Sequence, residues 1–502
     1  MALGRSTTTA LDGITARLVT VEANVGPGLP GINVVGLGDA SVREARYRLR
    51  TAVANTELDW PKSKIVLSLS PADLPKRGSH FDLAMCLAVL AARHPGADQR
   101  LRDVMVLGEL GLDGSVRPVT GVLPSVLEAA RENKSAVLVP PGNQEEAALA
   151  EGIDVLVVPS LEAAWNWACG LTTLDRAAPG VAETPGAAPD FADLAGQHDA
   201  RWAAEVAAAG GHHMFLVGPP GSGKSMLAER LPGILPPLSR SQALEVGAIR
   251  SIAGAATDGR ALLVPPFSAP HHTVTRAGLL GGGSGHPSPG AVTHAHNGVL
   301  FLDEVSEIPA ATLDSLRTPL EHRRIVLQRG VRSTIFPARF QLLLAANPCR
   351  CAAESPTDCT CTVAERRHYL SNLSGPLLDR IDMTIRTTGK GAVVSTDGAE
   401  TSSAIASRVS EARDRAGNRW GAGVLNSDVT GPYLRRHAPA DETGMALIEV
   451  HLAVGDITQR GVDRALRLAW TICDLEGGNQ PDLDHVARAL ELRGSQLEAK
   501  AA

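Results

Sequence analysis

The order of apolar and polar positions over residues 1–170 predicts strands that alternate with helices. Residues Ile14–Glu22 alternate in polarity, as a strand with one buried face does, and Ile65–Ser70 is a short run typical of a strand. Apolar residues instead recur at helical spacing in Asp82–Ala92 and Leu123–Ala130. The pattern therefore predicts an α/β domain in this part of the chain.

The rest of the chain changes character twice. Residues 171–189 are rich in Ala, Pro, Gly and Thr without any period, which predicts a flexible linker. Beyond it, strands are predicted at His213–Val217, Gly298–Leu302 and Phe340–Asn347, and helices at Met226–Leu231 and Asp463–Asp474. We therefore expect a second α/β domain over residues 190–387 and a helical domain over residues 388–502.

Composition narrows the class of protein only a little. The chain has 502 residues, of which 44% are hydrophobic and 20% charged, as in ordinary globular proteins. No apolar stretch reaches the roughly 18 residues of a membrane span, and the N-terminus lacks the features of a signal peptide. We expect a cytoplasmic protein without a membrane partner. The net charge of −6 argues against a generally basic nucleic-acid binder, but it leaves room for a positively charged pore.

The segment Gly218–Ser225 fits the pattern G-x-x-x-x-G-K-[ST] and lies between a predicted strand and a predicted helix. Glycines let backbone N–H groups curl around phosphate oxygens, and the helix N-terminus adds partial positive charge. Lys224 is expected to reach the β and γ phosphates, and the Ser225 hydroxyl to coordinate Mg²⁺. The predicted ATP-binding residues are Gly218, Pro219, Pro220, Gly221, Ser222, Gly223, Lys224 and Ser225.

Two further strand ends carry polar residues that suit nucleotide hydrolysis. Asp303 and Glu304 follow the apolar run Gly298–Leu302, so one carboxylate can hold Mg²⁺ through water while the other polarises the attacking water. We assign the Mg²⁺ role to Asp303 and the catalytic role to Glu304. Asn347 ends the third strand-like run, where a residue that senses the γ-phosphate would lie.

The order of these motifs along the chain resembles that of AAA+ ATPases of the magnesium chelatase I/D group, and most closely that of its YifB/ComM branch. The resemblance covers most of the chain from about residue 190 onward. It is carried by the two nucleotide motifs and by the segments Ala269–Thr273, Gly281–Gly283, Ala295–Glu304, Pro337–Gln341 and Leu373–Arg380.

The resemblance implies a fold and an assembly. The fold class is α/β, with an N-terminal Lon-protease-like (ribosomal S5 domain 2-like) domain, a P-loop AAA+ αβα core and a C-terminal helical lid. Arg380 would be an arginine finger offered to a neighbouring subunit, and Arg460 a second sensor on the lid. An arginine finger implies a ring, so a homo-hexamer is expected. From the residues alone, Arg380 could equally form a surface salt bridge.

The N-terminal resemblance to Lon proteases raises proteolysis as a rival function. It rests on Gly31–Gly36, Leu74–Gly78 and Gly108–Gly114. Lon-type catalysis needs a serine activated by a lysine. Matching the motifs places His80 at the nucleophile position, beside Ser79, and Leu123 at the lysine position. Leucine cannot accept a proton, so we expect a catalytically inactive domain.

Four of the seven cysteines form a cluster, namely Cys349, Cys351, Cys359 and Cys361. Thiolates at short spacing in a reducing compartment suit a structural Zn²⁺ better than disulfides, although the spacing is not that of common zinc ribbons. Structural zinc, free thiols and redox pairing all remain open from the sequence.

The long stretch between Lys224 and Asp303 predicts an insertion in the ATPase core. It carries the histidines His271, His272, His294 and His296, which glycines and prolines flank, so a mobile loop is favoured over a metal site. A second, hairpin-like stretch follows. By resemblance both elements project toward the pore, where the hairpin's arginines would face DNA phosphates, with a solvated surface as the alternative. These arginines are Arg323, Arg324, Arg329 and Arg332.

Two functions remain for the ATPase. One is a DNA motor that drives branch migration on single-stranded or branched DNA, as the ComM resemblance implies. The other is a chelatase-like subunit that remodels a protein partner. The chain contains no D-x-S-x-S metal-adhesion motif, and its N-terminal domain belongs to the DNA-associated branch. The DNA motor is therefore favoured. Because aromatic residues make up only 3% of the chain, we expect any DNA contact to be with phosphates.

Overall fold

A computed structural model of the chain describes residues 2–178, 189–255, 263–283, 287–329, 332–353, 358–369, 371–388 and 400–501. Two compact units emerge from its internal contacts. The first comprises Met1–Thr184 with Ser239–Leu263, and the second Pro185–Leu238 with Val264–Ala502.

The first part of the chain, through residue 168, alternates strands and helices. Its strands are β1 (Ala2–Asp12), β2 (Thr15–Gly26), β3 (Gly31–Val35), β4 (Lys64–Ser70), β5 (Val104–Val106), β6 (Glu109–Leu110), β7 (Val116–Arg117), β8 (Ala136–Val139) and β9 (Asp154–Val157). Its helices are α1 (Ala40–Asn55), α2 (Asp82–Ala91), α3 (Pro95–Arg102), α4 (Val122–Arg131), α5 (Gln144–Ala147) and α6 (Leu161–Ala168). The predicted strands and helices of this region are confirmed as β2, β4, α2 and α4.

The later strands are β10 (Met214–Val217), β11 (Phe267–Ser268), β12 (Gly281–Gly282), β13 (Ser288–Pro289), β14 (Gly298–Leu302), β15 (Arg324–Arg329), β16 (Arg332–Pro337), β17 (Phe340–Ala346) and β18 (Met383–Arg386). The later helices are α7 (His198–Gly210), α8 (Lys224–Arg230), α9 (Arg240–Ile252), α10 (Arg276–Leu280), α11 (Ala291–His294), α12 (Ala310–Asp314), α13 (Arg317–His322), α14 (Val363–Tyr369), α15 (Gly375–Leu378), α16 (Ser402–Trp420), α17 (Gly431–His437), α18 (Glu442–Val454), α19 (Gln459–Glu476) and α20 (Leu483–Ala501).

The first unit is built on a seven-stranded mixed sheet with the strand order β3-β4-β2-β1-β5-β8-β9. β1 and β2 form a long antiparallel ladder, whereas β1, β5, β8 and β9 run parallel to one another. Helix α2 is buried along its whole length, and its apolar residues pack into the main core of this unit.

Helix α9 belongs to the first unit although the chain reaches it only after the nucleotide-binding motif. The N–H of Gly121 donates to the Ser251 carbonyl at 3.1 Å, and the N–H of Leu123 to the Ser251 hydroxyl at 3.3 Å. Val246 and Ile249 on α9 are buried. The sequence placed residues 190–387 in one domain. The contacts instead group Ser239–Leu263 with the N-terminal unit, because α9 buries its apolar face there.

The second unit contains a five-stranded parallel sheet with the strand order β11-β14-β17-β10-β18. β14 and β17 are buried at every position, which explains their largely apolar sequences; the polar exception in β17, Gln341, donates to the His212 carbonyl at 2.8 Å. Because the strands are parallel, their carboxyl ends lie at one edge of the sheet and their amino ends at the other. That distinction decides the arrangement of the site.

The C-terminal helices pack into the same unit as this sheet. Arg413 on α16 is half-buried and donates from two nitrogens to the Ala208 carbonyl of α7, at 2.6 and 3.0 Å. Arg408 pairs with Glu205 of α7 at 2.6 Å. These bonds fix α16 to the sheet's flanking helix. No helix among the described residues is both long and apolar enough to cross a membrane.

Candidate active site

The loop between β10 and α8 is shaped by close approaches that only glycine allows. A Cβ on Gly218 would lie 2.0 Å from the Thr387 hydroxyl oxygen. Gly223 has φ +78°, and a Cβ there would lie 2.5 Å from the Gln197 amide nitrogen. Helix α8 begins directly afterwards at Lys224. The predicted phosphate-binding loop therefore has the strand, turn and helix that the motif requires.

Lys224 is buried and its ammonium lies against the loop. Its Nζ donates to the carbonyls of Gly218 and Pro219, at 2.7 and 2.9 Å. It also donates to Asn347 Oδ1 at 3.3 Å, so the structure brings the predicted lysine and sensor together. Burial lowers the pKa of Lys224, and the Asp303 carboxylate partly offsets this effect.

Ser225, Asp303 and Glu304 meet at the carboxyl edge of the sheet. The Ser225 hydroxyl donates to Asp303 Oδ2 at 2.8 Å, and the Glu304 N–H donates to Asp303 Oδ1 at 2.8 Å. The Ser225 and Asp303 oxygens are hard ligands of the kind Mg²⁺ prefers, so the residues fit the ion. Bound Mg²⁺ would neutralise charge on the nucleotide phosphates. The Glu304 carboxylate is half exposed and therefore accessible to water.

The structure adds contacts that the sequence did not predict. The Thr387 hydroxyl at the end of β18 lies 2.7 Å from the Ser222 hydroxyl, and the Gln197 side chain donates to the Ser222 carbonyl. Tyr369 on α14 lies beside Asn347 and Ser306, and burial raises the pKa of its phenol. His272 contacts Glu304. These contacts join residues far apart in the chain, so no local sequence signal identifies them.

Comparison with known proteins places these motifs in a family. Three family models match, described as magnesium chelatase, subunit ChlI (residues 190–393), subunit ChlI of Mg-chelatase (residues 21–143) and magnesium chelatase, subunit ChlI C-terminal (residues 399–493). YifB of Escherichia coli is 36% identical over 496 residues, which cover 98% of this chain and 97% of YifB. Competence protein ComM of Haemophilus influenzae is 35% identical over 489 residues, 96% of this chain and 95% of ComM.

The chain belongs to the YifB/ComM family of magnesium chelatase-like AAA+ ATPases. Its N-terminal part is also similar to Lon protease 2 of Bacillus subtilis, with 32% identity over 149 residues, 28% of this chain and 27% of that protein. The expected fold class, with a Lon-like N-terminal domain and an AAA+ α/β core, is confirmed.

In this family member the Lon-like unit holds no serine–lysine pair at the expected positions. His80 occupies the nucleophile position, and its Nε2 lies 2.8 Å from the Thr9 carbonyl. Burial lowers the pKa of His80. The neighbouring Ser79 hydroxyl donates to Glu109, while Lys134 donates to the Arg102 carbonyl at 2.7 Å. Ser79 and Lys134 therefore have different partners, and the expected lysine position is the buried Leu123.

Arg380 and Arg460 lie close together at the opposite edge of the sheet from the phosphate-binding loop. Arg380 donates to the Pro376 carbonyl at 2.6 Å and pairs with Glu321, and Arg460 Nη1 lies 3.7 Å from Asp379 Oδ2. Three residues after Asp379, Asp382 bonds the backbone of His213, the residue before β10.

The phosphate-binding loop follows the carboxyl end of β10, whereas His213 lies at its amino end. A four-residue strand separates its two ends by about 13 Å. The structure thus brings Lys224, Ser225, Asp303, Glu304 and Asn347 together but leaves Arg380 and Arg460 apart from them.

The four clustered cysteines converge as the sequence predicts. The sulfurs of Cys349, Cys351 and Cys359 are 3.2 to 3.5 Å apart, and all four sulfurs, including that of Cys361, lie within 4.8 Å of one another. Sulfurs around a tetrahedral zinc ion are about 3.8 Å apart, given Zn–S bonds of about 2.3 Å. The geometry thus fits a zinc site, and none of the four cysteines forms a disulfide.

The arginine-rich stretch forms an antiparallel pair of strands, β15 and β16, in which Arg329 is paired with Arg332. Arg324 is exposed at the other end of β15. Arg323 differs from these three, because it ends α13 and pairs with Asp428. Asp428 also pairs with Arg339 at 3.3 Å, so two arginines share one carboxylate, and Arg323 stays among the expected DNA contacts.

Proposed function

We propose that this protein is an ATP-hydrolysing ring motor of identical subunits, a homo-hexamer, that acts on DNA in branch migration. The placement of Arg380 and Arg460 carries the proposal. Both lie at the amino edge of the sheet, whereas the phosphate-binding loop lies at the carboxyl edge of the same sheet. An arginine so placed reaches a nucleotide only when a second subunit presents one, which is the arrangement of an arginine finger in trans.

Each residue of the site has a distinct part in the proposed hydrolysis. Lys224 exchanges its bonds to the loop carbonyls for the β and γ phosphates, and Ser225 with Asp303 holds Mg²⁺. Glu304 polarises the attacking water and takes its proton. Asn347, which already contacts Lys224, is positioned to contact the γ-phosphate. The neighbouring subunit supplies Arg380 and Arg460 as cations that stabilise the transferred phosphoryl group.

The hairpin of β15 and β16 supports DNA as the load. Arg324 pairs with Pro337 at one end of its ladder and Arg329 with Arg332 at the other, and the similarity to competence protein ComM covers nearly the whole chain. Contacts of arginine with phosphates are independent of base sequence and weaken steeply with salt. This suits a motor that moves along DNA.

The decisive experiment measures ATP hydrolysis alone and with single-stranded, duplex and four-way-junction DNA at several salt concentrations. We expect DNA to stimulate hydrolysis, most strongly at low salt. If none of the three DNAs binds in any nucleotide state, the DNA role is lost. The second candidate, a chelatase-like subunit that remodels a protein partner, would then be favoured, because all three matching family models describe magnesium chelatase subunits.

We also propose that Cys349, Cys351, Cys359 and Cys361 hold a structural Zn²⁺. The cluster begins two residues after Asn347, and α14, which carries Tyr369, begins two residues after it ends. A metal here would fix both ends of a loop that borders the sensor. Free thiols are the alternative, and metal analysis separates the two.

A further inference from the structure

One side of helix α1 in the first unit carries a row of three arginines. Arg43, Arg46 and Arg50 are all exposed, whereas Arg48 on the same helix pairs with the buried Asp82 at 2.6 Å. The spacing of three and then four residues places the exposed side chains within about 60° of one another around the helix axis. The helix rises by about 10 Å from the first to the last of them. We call this row the α1 stripe.

The positive charge of the α1 stripe is not neutralised by neighbouring carboxylates. Arginines elsewhere in the chain commonly form ion pairs, as Arg408 of α16 does with Glu205 at 2.6 Å. Among the residues that the structure describes, no carboxylate lies within ion-pairing distance of the stripe, and Glu44 is the one acidic residue of α1. Like charges at this spacing repel one another, so an anionic ligand would be bound favourably.

A fourth exposed arginine lies at the amino end of the same helix. Asp39 caps α1 and accepts hydrogen bonds from the Val42 N–H at 3.0 Å and from the Gly78 N–H at 3.2 Å. The second bond holds the loop that contains Arg77 against the first turn of the helix, and Arg77 is exposed. The positive charge therefore continues beyond the stripe.

An exposed aromatic ring lies within the stripe. Tyr47 is 63% exposed, and the Arg46 guanidinium lies 4.7 Å from its ring centroid and donates to its hydroxyl at 2.9 Å. An aromatic ring beside cations is the chemistry that binds single-stranded nucleic acid, because a base can stack on the ring while arginines bind the phosphates. The bases of a duplex already stack on one another and leave no face free for the ring.

We infer that the α1 stripe, together with Arg77 and Tyr47, binds one single strand of DNA through its phosphates and a stacked base. The inference rests on DNA as the load in the proposed function, and it adds a contact in the first unit to that of the β15–β16 hairpin. Phosphates of one strand advance by about 3.4 Å per nucleotide in duplex geometry, so a row of about 10 Å spans about three of them.

The test measures how tightly the full chain binds a dT oligonucleotide and a duplex of the same length across a salt series. The stripe variant replaces all three arginines of the α1 stripe by Gln. Tyr47→Ala and Tyr47→Phe examine the stacked base. The matched control removes the same net charge from other elements of the first unit by replacing three exposed arginines by Gln, namely Arg17, Arg93 and Arg131.

We expect the stripe variant to bind the dT oligonucleotide about tenfold to a hundredfold more weakly at about 0.1 M salt. Its slope of log affinity against log salt should fall by about two, because each lost contact with a single-strand phosphate removes about 0.7. Tyr47→Ala should lose about fivefold in affinity, whereas Tyr47→Phe should lose little, since a phenyl ring also stacks. The control variant should stay within about twofold of wild type.

The outcomes that contradict the inference differ from those that contradict the proposed function. If wild type binds the dT oligonucleotide and the stripe variant binds it as the control variant does, the inference alone is overturned. If wild type binds no DNA, the proposed function is lost with it. Equal losses for the dT oligonucleotide and the duplex, beside unchanged binding by Tyr47→Ala, would overturn the single strand as the ligand.

Sedimentation of each variant tests the other occupant of this surface, a second copy of the chain. Failure of the stripe variant alone to assemble would assign α1 to a contact between subunits and overturn the inference. If the triple replacement fails to fold, the single variants Arg43→Gln, Arg46→Gln and Arg50→Gln decide, and each should lower the slope by about 0.7.

Discussion

Arg460 lies beside Asp379, with Nη1 of the arginine 3.7 Å from Oδ2 of the aspartate, and Asp379 immediately precedes Arg380. This relationship places both predicted cations on one surface. A lid arginine that served its own subunit would need to reach the phosphate-binding loop at the opposite edge of the sheet. Arg460 is therefore expected to act on a neighbour's nucleotide, together with Arg380.

Mixing experiments test this arrangement. Arg380→Ala and Arg460→Ala should each bind ATP but lose turnover, because the phosphoryl group loses a stabilising cation. Mixing either variant with Lys224→Ala subunits should restore part of the turnover, since mixed interfaces then contain one intact loop and one intact arginine. Arg436→Ala, an exposed lid arginine, is the control and should keep wild-type turnover. No recovery in mixed rings that demonstrably assemble would refute action in trans.

Replacing Glu304 by Gln should lower hydrolysis by about two orders of magnitude or more, because the attacking water loses its base. Binding of ATP and Mg²⁺ should persist, since Lys224, Ser225 and Asp303 are unchanged. Glu307→Gln, on the same turn and exposed, should keep normal turnover. Steady-state hydrolysis together with nucleotide titration measures both quantities, and near-normal turnover of Glu304→Gln would remove Glu304 from its role.

If the four clustered cysteines bind zinc, purified protein should contain about one Zn²⁺ per chain. Replacing Cys349 and Cys361 by Ser should remove it, whereas Cys169→Ser, outside the cluster, should not. Metal analysis of protein prepared without chelator measures the content. Metal-free wild-type protein would favour free thiols.

Removing charge from the hairpin should weaken DNA binding without stopping DNA-free hydrolysis. Arg324→Ala, Arg329→Ala and Arg332→Ala each remove one cation that would bind a phosphate, so each should reduce the slope of log affinity against log salt by about one. Arg323→Ala is the comparison: because Arg323 pairs with Asp428, its slope should fall by less than the slopes of the other three. Binding of a four-way junction across a salt series gives the slopes, and slopes equal to that of wild type in all four variants would assign these arginines to a solvated surface.

Asp382 is expected to stabilise the second unit. It is buried, accepts a bond from the His213 N–H at 3.0 Å, and lies 4.0 Å from Arg464. Burial alone would raise the pKa of Asp382, but the hydrogen bond and charge of His212, with the charges of His213 and Arg464, hold it below its usual value. Asp382→Asn should lower the free energy of unfolding at pH 7 by about 3 kcal/mol, because the adjacent Arg464 loses its counter-charge.

The pH dependence of that effect has a definite sign. Because the folded-state pKa of Asp382 is depressed, its contribution is present above the unfolded value of about 3.9 and is lost as the pH falls below it. The difference between wild type and Asp382→Asn should therefore shrink at acid pH. Urea unfolding at pH 7 and pH 3.5 measures it. Asp456→Asn is the control, because Asp456 pairs with His451 at an exposed position and should contribute little.

Much of the site followed from short stretches of sequence. The sequence predicted three features at their observed places, namely the loop before Lys224, the acids after β14 and Asn347 after β17. Each of them directly follows an apolar run. Parallel strands bring such ends to one edge of a sheet. The convergence of the four cysteines was also predictable, because few residues separate them in the chain.

Other features depended on contacts that no local pattern encodes. Strand β1 contains the buried polar run Ser6–Thr9, in which the Ser6 hydroxyl donates to the Ala84 carbonyl of α2 at 2.7 Å and the Thr9 hydroxyl to the Ser125 hydroxyl of α4 at 2.8 Å. A polar run like this resembles a loop in the sequence. Helix α9 likewise leaves the ATPase unit, because its apolar face matches α4, and periodicity shows only that such a face exists.

The sequence by itself determined the candidate residues for binding and cleaving ATP, because phosphate binding requires particular side chains at fixed short spacing. Only the tertiary structure decided what surrounds them. It placed Arg460 with Arg380 and away from Lys224, paired Arg323 with Asp428, and put His272 against Glu304. These pairs come from separate elements, and their meeting depends on how strands order in the sheet and how helices pack on it.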